Sequence, residues 1–300
     1  MQLQHTLARP VAVSGVGLHS AVNVNLRILP APTNRGIVFR RTDLDNFEIE
    51  AGWRHVARVS YATSLMKRGV LISTTEHLLS ALVSTGVDNA IVEIDALELP
   101  ILDGSALPYI RMIEEAGLKR QRARRTLARI LKAEEVVENG KRIGVYPPLP
   151  GQEGLAVECT IDFPHPLIGR QSYAIDLTPE SYAREIAPAR TFGFLRDEQA
   201  LRHQGLIRGA SVENALALTE DGLLNEGGLR FPDEFARHKL LDLIGDLALF
   251  GRPIWGRVVA ERAGHYMHVA LVSHLMRDRS LWVETSGERE PEIAAAAVIA

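Results

Sequence analysis

From residue 9 to about 60 the apolar positions mostly alternate with polar ones, as in "VAVSGVGLH", "VNVNLRILP", "GIVFRRTD" and "FEIEAGW", with Gly, Pro and Asn between the runs. A period of two turns one side of each segment toward a core, which predicts short strands joined by turns. The period then lengthens. "STTEHLLSALVSTG" spaces its apolar residues as a helix does, with Ser73, Thr74 or Thr75 available as N-cap and Gly86 as the stop. A strand is predicted at "NAIVEIDAL", and a second helix in "PILDGSALPYIRMIEEAG", introduced by Asp103 and Ser105 and ending at Gly117.

The same order returns in the second half. Strands are predicted at "LARILKAEEVVENG", "KRIGVYPP" and "LAVECTIDFP", followed by an irregular stretch from about 180 to 230. A helix at "DEFARHKLLDLIGDLALFG", a strand at "IWGRVVAERA" and a last helix at "HYMHVALVSHLMRD" complete it. "EHLLSAL" holds the place in the first half that "HKLLDLIGDL" holds in the second. The expected fold is α+β: two related βα layers face to face, each giving its first helix to a common cleft. The expected divisions are 1–125, 126–285 and a tail, 286–300, whose "SGEREPEIAAAAVIA" is too short to span a membrane. That tail reads as a grip for a cellular protease, with a small packed tail as the alternative.

Composition narrows the function classes. Three hundred residues, 46% hydrophobic and 24% charged, describe an ordinary globular chain of about two domains. A formal net charge of −3 gives no overall attraction to nucleic acid or to an anionic bilayer, so no nucleic-acid partner and at most peripheral membrane contact are expected. The basic run "KRQRARRTLAR", Lys119 to Arg129, is read as a solvated interdomain linker. One cysteine, Cys159, excludes an intramolecular disulfide and any cysteine-based metal site. With no signal peptide and no long apolar run, a cytoplasmic location is expected.

Chemistry concentrates in "EFARHKLLDLIGD", residues 234 to 246. His238, Asp242 and Asp246 lie four apart and project from one stripe of a helix. Hydrolytic zinc sites take three ligands from His, Asp or Glu and keep a fourth position for water. His238 and Asp242 can supply two, and His77 in "TTEHLL" a third, with Glu76 beside it to deprotonate the water. "AGHYMHV" offers His265 and His268, either of which Asp246 can hold as an imidazolium. His19, His165, His203 and His274 read as ordinary turn or surface histidines. On these residues alone, an amphipathic helix with one satisfied histidine remains the alternative. The third glycine of a dinucleotide fingerprint, a Walker pattern and a Gly-x-Ser-x-Gly elbow are all missing from the sequence.

The stretches "SGVGLHS", "STTEHLLSAL", "DNAIVEIDALELPILDGSA", "IDFPHPLIG", "ARTFGFLRD", "GLRFPDEFARHKLLDLIGDL" and "GHYMHVALV" together resemble the zinc-dependent UDP-3-O-acyl-N-acetylglucosamine deacetylases of lipid A (lipopolysaccharide) biosynthesis in Gram-negative bacteria. The likeness covers nearly all of residues 3 to 275. It implies two βα sandwich domains with the active site between them, and Zn2+ on His77, His238 and Asp242. It implies a hydrolase that removes acetyl from the 2-amino group of UDP-3-O-[(3R)-3-hydroxyacyl]-N-acetylglucosamine, giving acetate and the free amine. Glu76 falls on the family's general base, His265 on its acid or oxyanion stabiliser with Asp246 as partner, and Thr191 on a hydroxyl that polarises the carbonyl. Lys239 falls on a substrate-binding lysine, while Phe192 and Phe194 line the substrate passage. Residues from about 193 to 225 correspond to the insert around the acyl chain, and "SYATSL" at 60 to 65 is less distinctive. The resemblance gives His268 no role.

Overall fold

The computed structural model describes residues 2–286. In the first half the alternating segments Val11–Val16, Asn23–Pro30, Ala90–Ile94, Ile37–Arg41 and Phe47–Glu50 form one sheet in that order. Its central strand, Ala90–Ile94, runs antiparallel to Asn23–Pro30 and parallel to Ile37–Arg41. In the second half Glu134–Glu138, Lys141–Tyr146, Ile254–Glu261, Leu155–Phe163 and Gly169–Asp176 repeat both the order and the directions, with Ile254–Glu261 as the centre. Leu127–Ile130 and Trp282–Thr285 extend this second sheet. The repeat in element order is thus a repeat of topology.

Six α-helices surround these sheets among the described residues: α1 (Glu76–Ser84), α2 (Leu107–Ala116), α3 (Pro179–Glu185), α4 (Leu195–His203), α5 (Glu234–Leu247) and α6 (His265–Arg277). The pair α1 and α2 flanks the first central strand in sequence, as α5 and α6 flank the second. Gly86, in the left-handed region at φ 84°, lets the chain leave α1, as its place after the last apolar residue predicts. The two leading helices pack on each other across the halves. Leu78, Leu79 and Leu82 of α1 and Leu240, Leu241, Leu243 and Ile244 of α5 are all buried, each worth roughly 1.5–3 kcal/mol of removed apolar surface.

This packing decides a question that periodicity leaves open. Of the residues in α5, only Arg237 and Lys239 are not buried, so the helix has no solvated face on which His238, Asp242 and Asp246 could lie. Buried polar groups require partners. The stripe is therefore internal and must be satisfied by other parts of the fold.

Three features depart from the sequence reading. The basic run is no free linker: Leu118–Arg124 is a strand paired antiparallel with Leu3–Leu7. Arg120, Arg122 and Arg124 point outward and mask the alternation, while Gln121 turns inward to donate to the Ala31 carbonyl and accept from Asn89. Gly169–Asp176 and Trp282–Thr285 add strands that were not anticipated, and the irregular stretch contains α3, α4 and a short parallel pair, Phe192–Phe194 with Leu216–Leu218. The expectation for the tail from residue 287 onward lies outside the described residues.

Candidate metal centre and active site

The site is assembled from the beginnings of two helices and the middle of a third. The chain enters α1 through Thr74, which sits in the left-handed region at φ 59° and donates its hydroxyl to the buried Glu98 at 3.0 Å. A β-branched residue is costly in that region, so the surroundings must impose it. Thr75 then spends its hydroxyl and its amide on the Thr63 carbonyl rather than on capping the helix. Glu76 and His77 follow as the first residues of α1, both buried.

His77 and His238 meet at an edge, with ring centroids 5.0 Å apart. Asp242 joins them: its Oδ1 lies 3.4 Å from His238 Nε2 and 3.7 Å from His77 Nε2. The Nδ1–H of His238 donates to the Ala189 carbonyl at 3.0 Å, which leaves Nε2 as the lone-pair nitrogen facing Asp242. Burial, reinforced by His238, lowers His77 to about 3, and burial lowers His238 as well. Both imidazoles are thus neutral near pH 7. Burial alone would raise Asp242, but the charge of Lys239 beside it outweighs this and holds the carboxyl well below its usual range. Two neutral nitrogens and one anionic oxygen, all within 4.8 Å of one another, are a fitting donor set for a divalent cation of the zinc type.

Beside this triad lies a second polar cluster. The fully buried Asp246 accepts from Thr63 Oγ1 at 2.5 Å, from His265 Nδ1 at 2.7 Å and from His268 Nδ1 at 2.8 Å. Burial works against a charged His265, but Asp246 outweighs it and raises the imidazole to about 9. Its Nε2 points back toward the triad, 4.0 Å from Asp242 Oδ2. The backbone amide of Thr63 donates to Glu76 Oε2 at 3.1 Å, so Thr63 ties the Glu76 carboxyl to the Asp246 cluster. Burial, with Asp242 and Asp246 adding to it against the pull of His265, raises Glu76 to about 8. Thr63 is the residue sequence reasoning missed, since it lies in a stretch without pattern. His265 and His268 were both offered as partners for Asp246, and the fold gives it both.

The triad opens into a cavity of about 810 Å³ whose lining includes Glu76, His77, Thr191, Phe192, Phe194, His238, Lys239, Asp242 and His265. Among the expected site residues, only the buried Asp246 stays outside this lining. Thr191 is held by its amide on Gly104 O and its carbonyl on Leu216 N, both at 2.8 Å. The preceding residue, Arg190, makes a bidentate ion pair with the fully buried Glu234 at the start of α5. Phe192 stacks edge-on against Phe163 and Phe235, and together with Phe194, Leu201, Ile207 and Leu224 it gives the cavity an apolar lining. Lys239 Nζ donates to Asp242 Oδ2 at 2.7 Å while facing the cavity. Of the other histidines, His203 and His274 are exposed, and His165 is buried with its Nε2 on the Thr219 carbonyl. His19, expected in a turn, also lines the cavity and accepts the Ile207 amide at Nδ1.

Two buried imidazoles and a carboxylate beside a high-pKa carboxyl, lining a largely apolar cavity between two topologically equivalent halves, define a metal-dependent hydrolase. The sequence matches the UDP-3-O-acyl N-acetylglycosamine deacetylase family over residues 4–277. The chain belongs to this family of metal-dependent deacetylases. It is 56% identical over 282 residues to the UDP-3-O-acyl-N-acetylglucosamine deacetylase of Solibacter usitatus (strain Ellin6076), covering 94% of each chain. It is 46% identical to the enzyme of that name from Myxococcus xanthus (strain DK1622), over 93% of this chain and 88% of the relative. With the one from Anaeromyxobacter sp. (strain Fw109-5) it shares 44% over 92% and 89%.

Proposed function

We propose that the protein hydrolyses the 2-acetamido group of UDP-3-O-[(3R)-3-hydroxyacyl]-N-acetylglucosamine to acetate and the free amine, with zinc as the metal, in the lipid A pathway. The observation that carries this reading is the junction of the His77–His238–Asp242 triad with a largely apolar cavity of about 810 Å³, which suits a sugar amide bearing an acyl chain. Zinc held by the triad would supply Lewis acidity and an acidified water. Glu76 is the base: its buried carboxyl lines the cavity beside the triad, where it can take a proton from the attacking water. His265, kept protonated by Asp246, presents Nε2–H to the oxyanion, and the Thr191 hydroxyl is a second donor there. The aromatic wall of Phe192 and Phe194 receives the acyl chain. Lys239 serves the diphosphate, an assignment that requires it to give up part of its contact with Asp242.

Among the described residues no helix is long and apolar enough to cross a membrane, which agrees with an enzyme working in the cytoplasm on a UDP-linked substrate. Within this reading the chain divides near residue 125, and the tail beyond residue 286 is the handle through which a protease sets the enzyme's abundance. The test is acetate release by zinc-loaded protein from the acylated substrate and from the same UDP-sugar without its 3-O-acyl chain. Turnover that depends on the acyl chain supports the assignment. Equal turnover of both substrates would reassign the enzyme to another N-acyl sugar.

A further inference from the structure

The Asp246 carboxylate has more donors than the orientation of His265 alone requires. Thr63 holds Oδ1, while His265 and His268 both donate to Oδ2, from one face of α6 at a spacing of three. A buried carboxylate held by His265 alone could rotate about its own axis and carry the imidazole with it. Thr63 on Oδ1 and His268 on Oδ2 hold both oxygens independently of His265 and remove that freedom. His268 is 1% exposed, lies outside the cavity lining, and has no partner at Nε2, so Asp246 is its one hydrogen-bond partner. An apolar side chain of similar size would fill the same space without leaving a buried nitrogen unpaired. Packing therefore gives no reason for a histidine here, whereas the bond to Asp246 does.

We propose that His268 is a positioning residue for the deacetylation: its Nδ1–H fixes the Asp246 carboxylate, and through it the direction in which His265 Nε2 faces the substrate. It touches neither the substrate nor the triad. The inference rests on the activity proposed above.

The test compares zinc-loaded wild type with His268→Leu, which keeps bulk and loses the donor, and His268→Asn, whose amide nitrogen can occupy the place of Nδ1. The readouts are kcat and KM for acetate release, zinc content, thermal stability, and proton NMR of isotope-labelled histidine for the low-field imidazole N–H signals. In the expected wild-type spectrum the signals of His265 and His268 are the two at lowest field, because these imidazoles donate to a carboxylate whereas the buried His238 and His165 donate to carbonyls. His268→Leu should lose one and shift the other, and kcat should fall by about 10- to 100-fold, the scale of one hydrogen bond to a charged group. KM and zinc content should stay unchanged, and His268→Asn should recover most of kcat. Leu and Asn variants equally impaired, or a Leu variant with wild-type kcat and an unmoved His265 signal, would overturn the proposal. If His268→Leu does not fold, the wild-type spectrum and His268→Asn decide: a missing second low-field signal or an inactive Asn variant overturns it. Wild type that releases no acetate, with both low-field signals present, counts against the proposed activity and leaves the His268–Asp246 bond standing.

Discussion

Gly245 of α5 lies so close to Glu76 of α1 that a Cβ built on it would sit 2.1 Å from the Glu76 carbonyl oxygen and 2.9 Å from its Cα. The absent side chain is what lets the two leading helices touch, and the touch falls on the residue proposed as the base. Gly245→Ala should improve helix propensity and still destabilise the protein, by about 1–3 kcal/mol, because the obstacle is backbone that can yield only by separating the halves. That separation moves Glu76 and His77 away from His238 and Asp242. Urea titration and zinc content should therefore fall together. A stable, zinc-replete, fully active Ala variant would contradict this geometry.

Ligand and base are separable. His238→Ala removes a donor from the triad, so zinc content and turnover should both collapse. Glu76→Gln leaves all three donors in place; zinc should remain while the rate falls about 10²–10⁴-fold, the usual worth of a general acid–base group. Near-normal turnover in the Gln variant would take Glu76 out of the mechanism.

Metal removal should expose the titration of Glu76. Its folded value of about 8 is above that of an unfolded glutamate. A carboxyl raised in this way stabilises the fold fully below the unfolded value, and loses that contribution as pH rises through the folded one. In protein stripped of metal, the stability of Glu76→Gln relative to wild type should therefore grow between about pH 4.5 and pH 8, by up to a few kcal/mol. Denaturant titrations at both ends of that window measure the gap. A constant gap would mean that Glu76 ionises as it does in the unfolded chain.

The aromatic wall should govern the chain rather than the chemistry. Phe194 contacts Phe163, Phe192 and His165 but no triad residue, whereas Phe192 also stacks on His238 at 6.5 Å. Phe194→Ala should raise KM for the acylated substrate with little change in kcat. Phe192→Ala should affect both parameters. Steady-state kinetics with substrates of two acyl lengths distinguish the cases.

Glu234 carries a long-range consequence. It is fully buried and accepts from the Arg190 side chain and from the amides of Arg190 and Arg230. Glu234→Ala leaves the largely buried Arg190 without its carboxylate and with the Gly228 carbonyl as acceptor, which should cost about 3–5 kcal/mol in denaturant titrations. It also frees the backbone beside Thr191, so kcat of the surviving folded fraction should fall. Unchanged kcat per folded molecule would show that Thr191 is held by Gly104 and Leu216 alone.

The sequence by itself determined the elements and most of the chemistry. Period two and period 3.6 are local properties, so most of the strands and α1, α2, α5 and α6 were legible, as was the repeat that became two sheets of one topology. The i, i+4, i+8 stripe placed His238, Asp242 and Asp246 on one side of one helix because helical geometry alone sets that relation. Joining His77 to His238 and Asp242 took more than spacing, since the contact spans the two halves. The neighbouring Glu76 singled out His77, the resemblance pointed to the same residue, and the fold brings the three together because α1 packs on α5. Only the tertiary structure decided that α5 is buried almost all round, which turns a polar stripe into an internal site and moves its pKa values. Only it placed Thr63 between Glu76 and Asp246, and His268 on the same oxygen as His265. Those bonds join residues far apart in the chain, and no local periodicity encodes which oxygen a distant hydroxyl or imidazole will reach. The basic run shows the same limit from the other side: its charges concealed a strand that exists because Leu3–Leu7, more than a hundred residues earlier, supplies the partner backbone.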